Sequence, residues 1–236
     1  MTRVLVVGDL HGRLGMLEDL IRQNMDVDFV LQAGDFGAYY DDGCCCGIPP
    51  RRRHRSSFRD YVNGKASFPK PVFFVKGNHE HFQLLDKATD RISDSEPVPL
   101  ADNLFYIPNG RVVTLQGVVV AALGGNYSSA CYRRPRGGLR RRHFSAGEIE
   151  MILKWPGKVD VLLTHDVGEG MIPGFRNLSQ ELLDFGLRLR PTWWVHGHFH
   201  CYHEDDLGFT KVVGLDAIHG QENSSKIIDI EPMGRK

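Results

Sequence analysis

Val4-Leu5-Val6-Val7-Gly8-Asp9-Leu10-His11 begins as an apolar run typical of a β-strand and ends in residue types that bind metal ions. The same arrangement, a short hydrophobic run followed by His, Asp, Asn or Glu, recurs four times along the chain. The later clusters are Gly34-Asp35-Phe36-Gly37, Gly77-Asn78-His79-Glu80, Thr164-His165-Asp166 and Gly197-His198-Phe199-His200. A single cluster is a weak indication of a metal site, but five in this arrangement would need five coincidences.

The apolar runs before these clusters predict the fold class. They are short and continuous rather than alternating, which is typical of strands buried on both faces. The predicted strands of this kind are residues 4–7, 29–31, 72–75, 118–121, 159–163 and 193–195. Further strands, paired antiparallel or at a sheet edge, are predicted at 111–115, 209–213 and 226–230. The predicted helices lie at about 14–23, 56–62, 145–154 and 178–187.

The position of the clusters relative to the strands is also informative. In layered α/β folds, ligands gather outside the carboxyl ends of the strands, which is where all five clusters fall. We therefore expect an α/β sandwich with two sheets inside and helices outside, and with the five clusters at one edge.

The residue types suit hydrolysis of a phosphate ester by two metal ions. Two divalent ions about 3.5–4 Å apart neutralise phosphoryl oxygens and lower the pKa of a bound water. Ions so close need an anionic bridge, for which Asp35 is the candidate. Carboxylate and amide oxygens mixed with imidazole nitrogens favour Mn, Fe or Zn over Mg or Ca. We expect two divalent ions, with Mn first and Fe, Zn or Ni as alternatives.

Length and composition fit one globular domain spanning residues 1–236. No apolar run approaches the roughly 20 residues of a membrane span, and Met1-Thr2-Arg3 leads directly into a strand, so neither a membrane segment nor a signal peptide is expected. Cys44, Cys45 and Cys46 are adjacent, a spacing that fits neither a zinc knuckle nor a disulfide framework. Reduced thiols in a cytoplasmic protein are the expectation.

Arginine is unevenly distributed although the formal net charge is zero. Half of the arginines lie in two short segments, 51–55 and 133–142, both predicted to be loops. The guanidinium group is suited to phosphate recognition, so these loops are candidates for binding a polyanion. The candidate residues are Arg51, Arg52, Arg53, Arg133, Arg140 and Arg141. The alternative is that both loops are ordinary solvated surface. Nearby Tyr39, Tyr40, Tyr127 and Tyr132 are candidates for stacking on bases.

The five clusters resemble the calcineurin-like metallophosphoesterase superfamily from Gly8 to His200. The stretch from Gly34 to Glu80, and Leu163-Thr164-His165-Asp166, resemble the RNA lariat debranching enzymes more specifically. The resemblance implies a metallophosphoesterase-like β-sandwich of two mixed sheets flanked by helices. Debranching enzymes typically have cysteine where Asp9 stands. Asp9 matches the commoner superfamily site, which favours two bound ions.

The resemblance also implies roles for individual residues. The first ion would be bound by Asp9, His11, Asp35 and His200. Asp35 would bridge to a second ion, which would be completed by Asn78, His165 and His198. His79 would face the phosphate as general acid or charge stabiliser, while Asp166 and Glu80 would orient imidazoles.

These features predict a metal-dependent phosphodiesterase that acts on RNA or single-stranded DNA through a metal-activated hydroxide. One alternative is a phosphohydrolase of small nucleotides, cyclic or dinucleoside. Another is a non-catalytic scaffold in which the metals only stabilise the fold. The expected partner is a nucleic acid or nucleotide phosphodiester, with no membrane involved.

Overall fold

The structure is a computed structural model that describes residues 1–40, 56–90, 92–93, 95–135, 137–176, 178–219 and 222–231. The strands of the first half are β1 Thr2–Val7, β2 Phe29–Gln32, β3 Val72–Phe74, β4 Val98–Ala101, β5 Leu104–Tyr106 and β6 Val112–Leu115. Those of the second half are β7 Val118–Leu123, β8 Val161–Thr164, β9 Trp193–His196, β10 His203–Asp206, β11 Lys211–Gly214 and β12 Ser225–Ile230. The α-helices are α1 Leu14–Gln23, α2 Phe58–Val62, α3 Phe82–Thr89, α4 Ser129–Arg133, α5 Ala146–Leu153 and α6 Gln180–Leu189.

The strands form two mixed sheets of the same design. The first has the order β12-β1-β2-β3-β5-β4 and the second β10-β11-β9-β8-β7-β6. In each sheet, four neighbouring strands are parallel and the strand at each edge is antiparallel to its neighbour. The carboxyl ends of the parallel strands therefore share one edge of each sheet.

The inner layer of the molecule lies between the two sheets. Val4 and Val6 of β1 are fully buried in it together with Leu163 of β8 and Val195 of β9. Alternate residues of a strand point to opposite faces, so these side chains are one half of a continuous apolar run. The two sheets consequently pack face to face through their β-branched and aliphatic residues.

The other half of each run packs under helices. Leu5 of β1 and Leu17 of α1 are buried in the same apolar cluster on the outside of the first sheet. On the outside of the second sheet, Trp194 of β9 is buried with Ile149 of α5 and Phe185 of α6. The result is the predicted sandwich of two sheets flanked by helices.

The sequence predicted the principal elements but not the edge strand β10 of the second sheet. The predicted strand at 209–213 corresponds to β11, which pairs antiparallel with β10, as predicted, and parallel with β9 on its other side. The edge is formed by β10, whose sequence, His-Glu-Asp-Asp, is too polar to resemble a strand. Charged residues are common on edge strands because they discourage pairing with another chain. Strands β4 and β5 and helices α3 and α4 were also missed.

Within the described residues, no helix has the length and apolar character that a membrane span requires.

The contact between α6 and β9 gives a stability test. A Cβ atom added at Gly186 would lie 2.2 Å from Cζ3 of the fully buried Trp194 ring. Gly186→Ala should therefore lower the free energy of unfolding by about 1–3 kcal/mol, the usual cost of overpacking. Gly147→Ala in α5 is the matched control, because nothing lies within 4 Å of its added Cβ. It should raise stability by about 0.5–1 kcal/mol. Urea unfolding measures both, and shifts of the same sign would contradict the packing argument.

Candidate metal centre

The five clusters come together where the carboxyl ends of the parallel strands of both sheets meet. Three clusters follow β1, β2 and β3, which are neighbours in the first sheet. The other two follow β8 and β9, which are neighbours in the second sheet. Contacts between side chains of the two sets, described next, show that the two sheet edges converge on one site.

One side of the site is formed by Asp9, His11 and His200. The Asp9 carboxylate is fully buried, and its Oδ2 lies 3.0 Å from Nε2 of His200. Nε2 of His11 lies 3.1 Å from the same His200 nitrogen. The backbone N–H of His198 donates to Oδ1 of Asp9 at 2.9 Å, which ties the cluster after β9 to the cluster after β1.

The other side of the site is formed by Asp35, Asn78 and His165. Oδ1 of Asp35 lies 3.7 Å from Nε2 of His165, while Oδ2 of Asp35 lies 3.7 Å from Nδ1 of His11. Asp35 therefore stands between the two sides with one oxygen toward each. The His198 ring completes this side, with its centroid 4.8 Å from that of His165.

The donor set fits cations. Nδ1 of His165 lies 2.8 Å from the Ala33 carbonyl oxygen, so Nδ1 is the donor, and burial lowers the pKa of this imidazole to about 3. The lone pair on Nε2 then faces Oδ1 of Asn78 at 3.0 Å as well as the Asp35 carboxylate. Three acceptor atoms converging without a hydrogen between them are suited to binding a positive ion.

Among the residues that the structure describes, two three-residue groups have the spacing of metal ligands. The ligand atoms of Asp9, His11 and His200 lie within 4.8 Å of one another, and so do those of Asp9, Asp35 and His165. Asp9 belongs to both groups, whereas the sequence predicted Asp35 as the bridge. Both carboxylates lie near His11 and His165, at 3.7 and 3.7 Å for Asp35 and at 3.7 and 3.9 Å for Asp9, so the choice between them is a matter for experiment.

The electrostatics of the site also call for positive charge. Burial and the nearby carboxylates of Asp9 and Glu80 raise the pKa of Asp35 well above its usual value. Burial also acts to raise the pKa of Asp9, but the neighbouring imidazoles, above all His165, outweigh it and lower this pKa. Cations between these carboxylates would offset both the desolvation and the repulsion.

The backbone is unusual at the predicted ligands. His11, Asp35, His198 and His200 all have positive φ values, between 47° and 70°, a region that non-glycine residues rarely adopt. Such conformations cluster at functional sites because they are maintained by the surrounding structure. At Gly197, an added Cβ would lie 2.2 Å from Oδ1 of Asp9, so the close approach of this loop to the carboxylate requires glycine.

Glu80 has a different role from the predicted one of orienting an imidazole. Its fully buried carboxylate accepts hydrogen bonds from the backbone N–H groups of Phe36, Gly37 and Ala38, at 2.7–3.2 Å. These amides belong to the turn directly after Asp35. Burial nevertheless raises the pKa of Glu80 to about 7. Glu80 thus fixes the loop that carries Asp35, a role visible only once the amides are located in space.

Asp166 also binds backbone amides. Its Oδ2 accepts from the N–H of Tyr127 at 2.7 Å and its Oδ1 from that of Val167 at 2.9 Å. These bonds connect the loop after β8 to the loop after β7. The two acidic residues therefore position the loops around the site.

His79 lies beside the predicted ligands. Its backbone N–H donates to Oδ1 of Asp35 at 2.8 Å, and its ring centroid lies 6.0 Å from that of His11. Burial, with smaller contributions from Arg142 and His198, lowers the pKa of His79 to about 4. Among the described residues, Nδ1 of this ring is buried without a hydrogen-bond partner. A polar atom left in this way is available to a bound molecule.

The arginine segments are only partly described. Arg51, Arg52 and Arg53 lie outside the described residues. Arg140 and Arg141 are exposed in a 3₁₀ turn at Gly138–Arg142, and Arg133 is exposed at the end of α4. A cavity of about 310 Å³ is lined by Arg140 and Arg141 together with Lys76, which directly precedes the Gly77-Asn78 cluster.

The turn that carries these arginines is fixed to the site. Lys76 Nζ donates to the Arg141 carbonyl at 2.8 Å, and the Arg141 guanidinium is paired with Asp86 of α3. Arg142, which was not among the candidate residues, acts on His79 through its charge. Only the folded structure reveals this effect, because in the sequence Arg142 is one of three consecutive arginines.

Three of the four tyrosines suggested for base stacking pack against other residues of the fold. Tyr39 is fully buried, so the suggestion is wrong for this residue. Tyr127 and Tyr132 lie against Phe144, with centroids 6.0 and 6.2 Å away, and the Tyr127 hydroxyl donates to Glu181 at 2.5 Å.

Comparison with known proteins identifies both similar sequences and similar structures. The chain is 26% identical over 262 residues to the lariat debranching enzyme of Schizosaccharomyces pombe, covering 95% of this chain and 52% of the relative. It is also 26% identical to the human lariat debranching enzyme, covering 97% of this chain and 49% of the relative. The chain thus spans about half the length of these two relatives.

Solved structures share the fold at low sequence identity. TT1561 of Thermus thermophilus superposes with a TM-score of 0.60 at 15% identity, covering 92% of this chain and 89% of the other. A sequence model of the calcineurin-like phosphoesterase family matches residues 2–202, a span that contains all five clusters. With its two mixed sheets and the convergence of the five clusters, the chain belongs to the calcineurin-like phosphoesterase family.

Proposed function

We propose that this protein is a binuclear metal-dependent phosphodiesterase that cleaves RNA or single-stranded DNA. The observation that carries the proposal is the convergence of Asp35, Asn78 and His165 acceptor atoms opposite the Asp9, His11 and His200 group. Family membership supports phosphoester hydrolysis. Similarity to proteins named lariat debranching enzymes supports RNA as the substrate class.

The proposed ligand sets follow the two sides of the site. Asp9, His11, Asp35 and His200 bind the first ion, and Asp35, Asn78, His165 and His198 bind the second. Mn is the preferred ion, with Fe, Zn or Ni as alternatives, because mixed oxygen and imidazole donors suit these metals. Such ions would supply positive charge to offset that of the phosphoryl oxygens and would lower the pKa of a water held at the site.

The side chains around the ions have distinct tasks in this reaction. Glu80 and Asp166 fix the loops through backbone amides, so that the ligands keep their geometry as charge develops. His79, held by its own backbone N–H on Asp35, presents a ring that hydrogen-bonds to the leaving oxygen. There it serves as general acid or as stabiliser of the developing charge; with its pKa lowered to about 4, the neutral ring contributes mainly an N–H hydrogen bond to that oxygen.

Two alternatives predict different measurements. A small-nucleotide phosphohydrolase would contact one or two phosphates, whereas a nucleic-acid enzyme contacts several and shows a steep salt dependence. A metal-stabilised scaffold would show no turnover at all. The deciding experiment supplies Mn, Fe, Zn, Mg or Ni and assays a phosphomonoester, a simple diester, linear RNA and DNA, branched RNA and cyclic nucleotides. Turnover confined to the monoester or to cyclic nucleotides would contradict the proposal.

The bridging role of Asp35 can be tested by metal content. Asp35→Gly removes the carboxylate but tolerates the φ of 48°. Without their shared counter-charge the two ions repel each other, so the variant should retain close to no bound metal. Asp9→Ala is the matched variant and should retain the second ion. Elemental analysis after gel filtration measures both. Retention of one ion by Asp35→Gly, with loss of both by Asp9→Ala, would make Asp9 the bridge.

His79 should affect the reaction rather than metal binding. General acid–base groups typically contribute about 10²–10⁴-fold, so His79→Ala should lower kcat by that factor while metal content stays at the wild-type level. A diester with a highly acidic leaving group needs no proton and should be cleaved at nearly the wild-type rate. Parallel loss of metal would instead identify His79 as a ligand.

The arginines of the 3₁₀ turn at Gly138–Arg142 should favour cleavage of long substrates over short ones. Replacing Arg140 and Arg141 together with glutamine should weaken cleavage of single-stranded nucleic acid. It should also reduce the slope of the logarithm of the binding constant against the logarithm of salt concentration by about 0.7 for each phosphate that is no longer neutralised. A small chromogenic diester should be unaffected. Arg22→Gln is the control, because Arg22 pairs with Glu18 near the end of α1, away from the ligand clusters. Equal losses on both substrates would indicate a structural role for the turn. The same substitutions at Arg51, Arg52 and Arg53 test the other segment.

A further inference from the structure

Phe199 and Phe175 form a pair of contacting aromatic rings beside the predicted metal ligands. Phe199 lies between the predicted ligands His198 and His200, and its ring centroid is 4.8 Å from that of His198 in an edge-to-face arrangement. The ring of Phe175 is in turn 5.3 Å from that of Phe199. Two ring contacts therefore lead from a predicted metal ligand to the protein surface.

Phe175 is exposed although residues shortly before it are buried. Gly168 and Ser179 are joined by a β-bridge, and Met171 and Ile172 are buried in the core. Phe175 nonetheless leaves 42% of its surface accessible. Burying such a side chain would contribute roughly 1.5–3 kcal/mol, so an exposed ring in contact with Phe199 offers apolar surface to a ligand at the metal site.

The surroundings of this ring point to one kind of ligand. Arg176, the next residue along the loop, is also exposed and carries a positive charge. An exposed aromatic ring followed in sequence by an exposed arginine, beside the predicted metal ligands, matches the two parts of a nucleotide, because bases stack on aromatic rings and phosphates attract arginine. An apolar peptide or lipid would not need the charge.

We propose that the exposed Phe175 ring, which lies edge-to-face against Phe199, is a stacking platform for the base of a nucleotide whose phosphate is held at the metal site. This inference rests on the proposed phosphodiesterase function and specifies its substrate as base-bearing diesters. Stacking is insensitive to base identity because every base has an aromatic face. The platform therefore favours nucleotides over simple diesters without imposing a strict sequence.

The test compares two chromogenic diesters with the same leaving group. Thymidine 5′-(p-nitrophenyl phosphate) carries a nucleoside, whereas methyl p-nitrophenyl phosphate does not. Removal of a stacking aromatic costs roughly 5- to 150-fold per base, the factor equivalent to about 1–3 kcal/mol. With the protein loaded with Mn, Phe175→Ala should lose kcat/KM by that factor on the thymidine diester and remain near wild type on the methyl diester. Phe175→Trp should restore the nucleoside preference.

The controls separate this inference from the function on which it rests. Phe209→Ala removes an exposed ring that packs against the Arg190 guanidinium instead, and it should change neither substrate. Equal kcat/KM losses on both diesters, or none, in Phe175→Ala with normal metal content would overturn the platform while leaving the phosphodiesterase intact. Failure of the wild-type protein to hydrolyse either diester would overturn the proposed function itself.

Discussion

The arrangement of the whole site depends on the burial of two carboxylates side by side. Asp9 and Asp35 are 0% and 2% exposed, and each lies on the loop after a central parallel strand. Burying like charges is unfavourable unless positive or hydrogen-bonding groups surround them. The imidazoles from the second sheet and the backbone N–H groups of His79 and His198 supply part of this compensation. The two sheets must therefore meet with their carboxyl ends aligned, which is the geometry that the core packing also produces.

Much of this architecture could be predicted from the sequence because local signals agree with the fold. The apolar runs are continuous, as strands covered on both faces require, and the buried residues Leu14, Leu17 and Ile21 give α1 a helical period. Helix α5 begins with a capping box between Ser145 and Glu148, and its predicted bounds differ from the observed ones by one residue at each end. The ends of the apolar runs then locate the clusters of predicted ligands, because each cluster follows such a run in the sequence.

What the sequence could not reveal depends on contacts between distant residues. The amides bound by Glu80 lie more than 40 residues earlier in the chain, so its adjacency to His79 suggested the wrong partner. Strand β10 pairs through its backbone with β11, and its polar side chains gave no strand signal. Phe175 is one aromatic residue among many until its exposure and its contact with Phe199 are known. Exposure and proximity are properties of the folded chain.

The order of the strands has a kinetic consequence. Strands β1–β5 and β12 build the first sheet and β6–β11 the second, and the Asp9–His200 contact joins residues 191 positions apart. Contacts of such long sequence separation form slowly because a large loop must close first. The ligands from the two sheets come together only after the sheets have docked. If these residues bind divalent metal as proposed, the rate at which a refolding chain takes up the metal would report sheet docking separately from the earlier appearance of secondary structure.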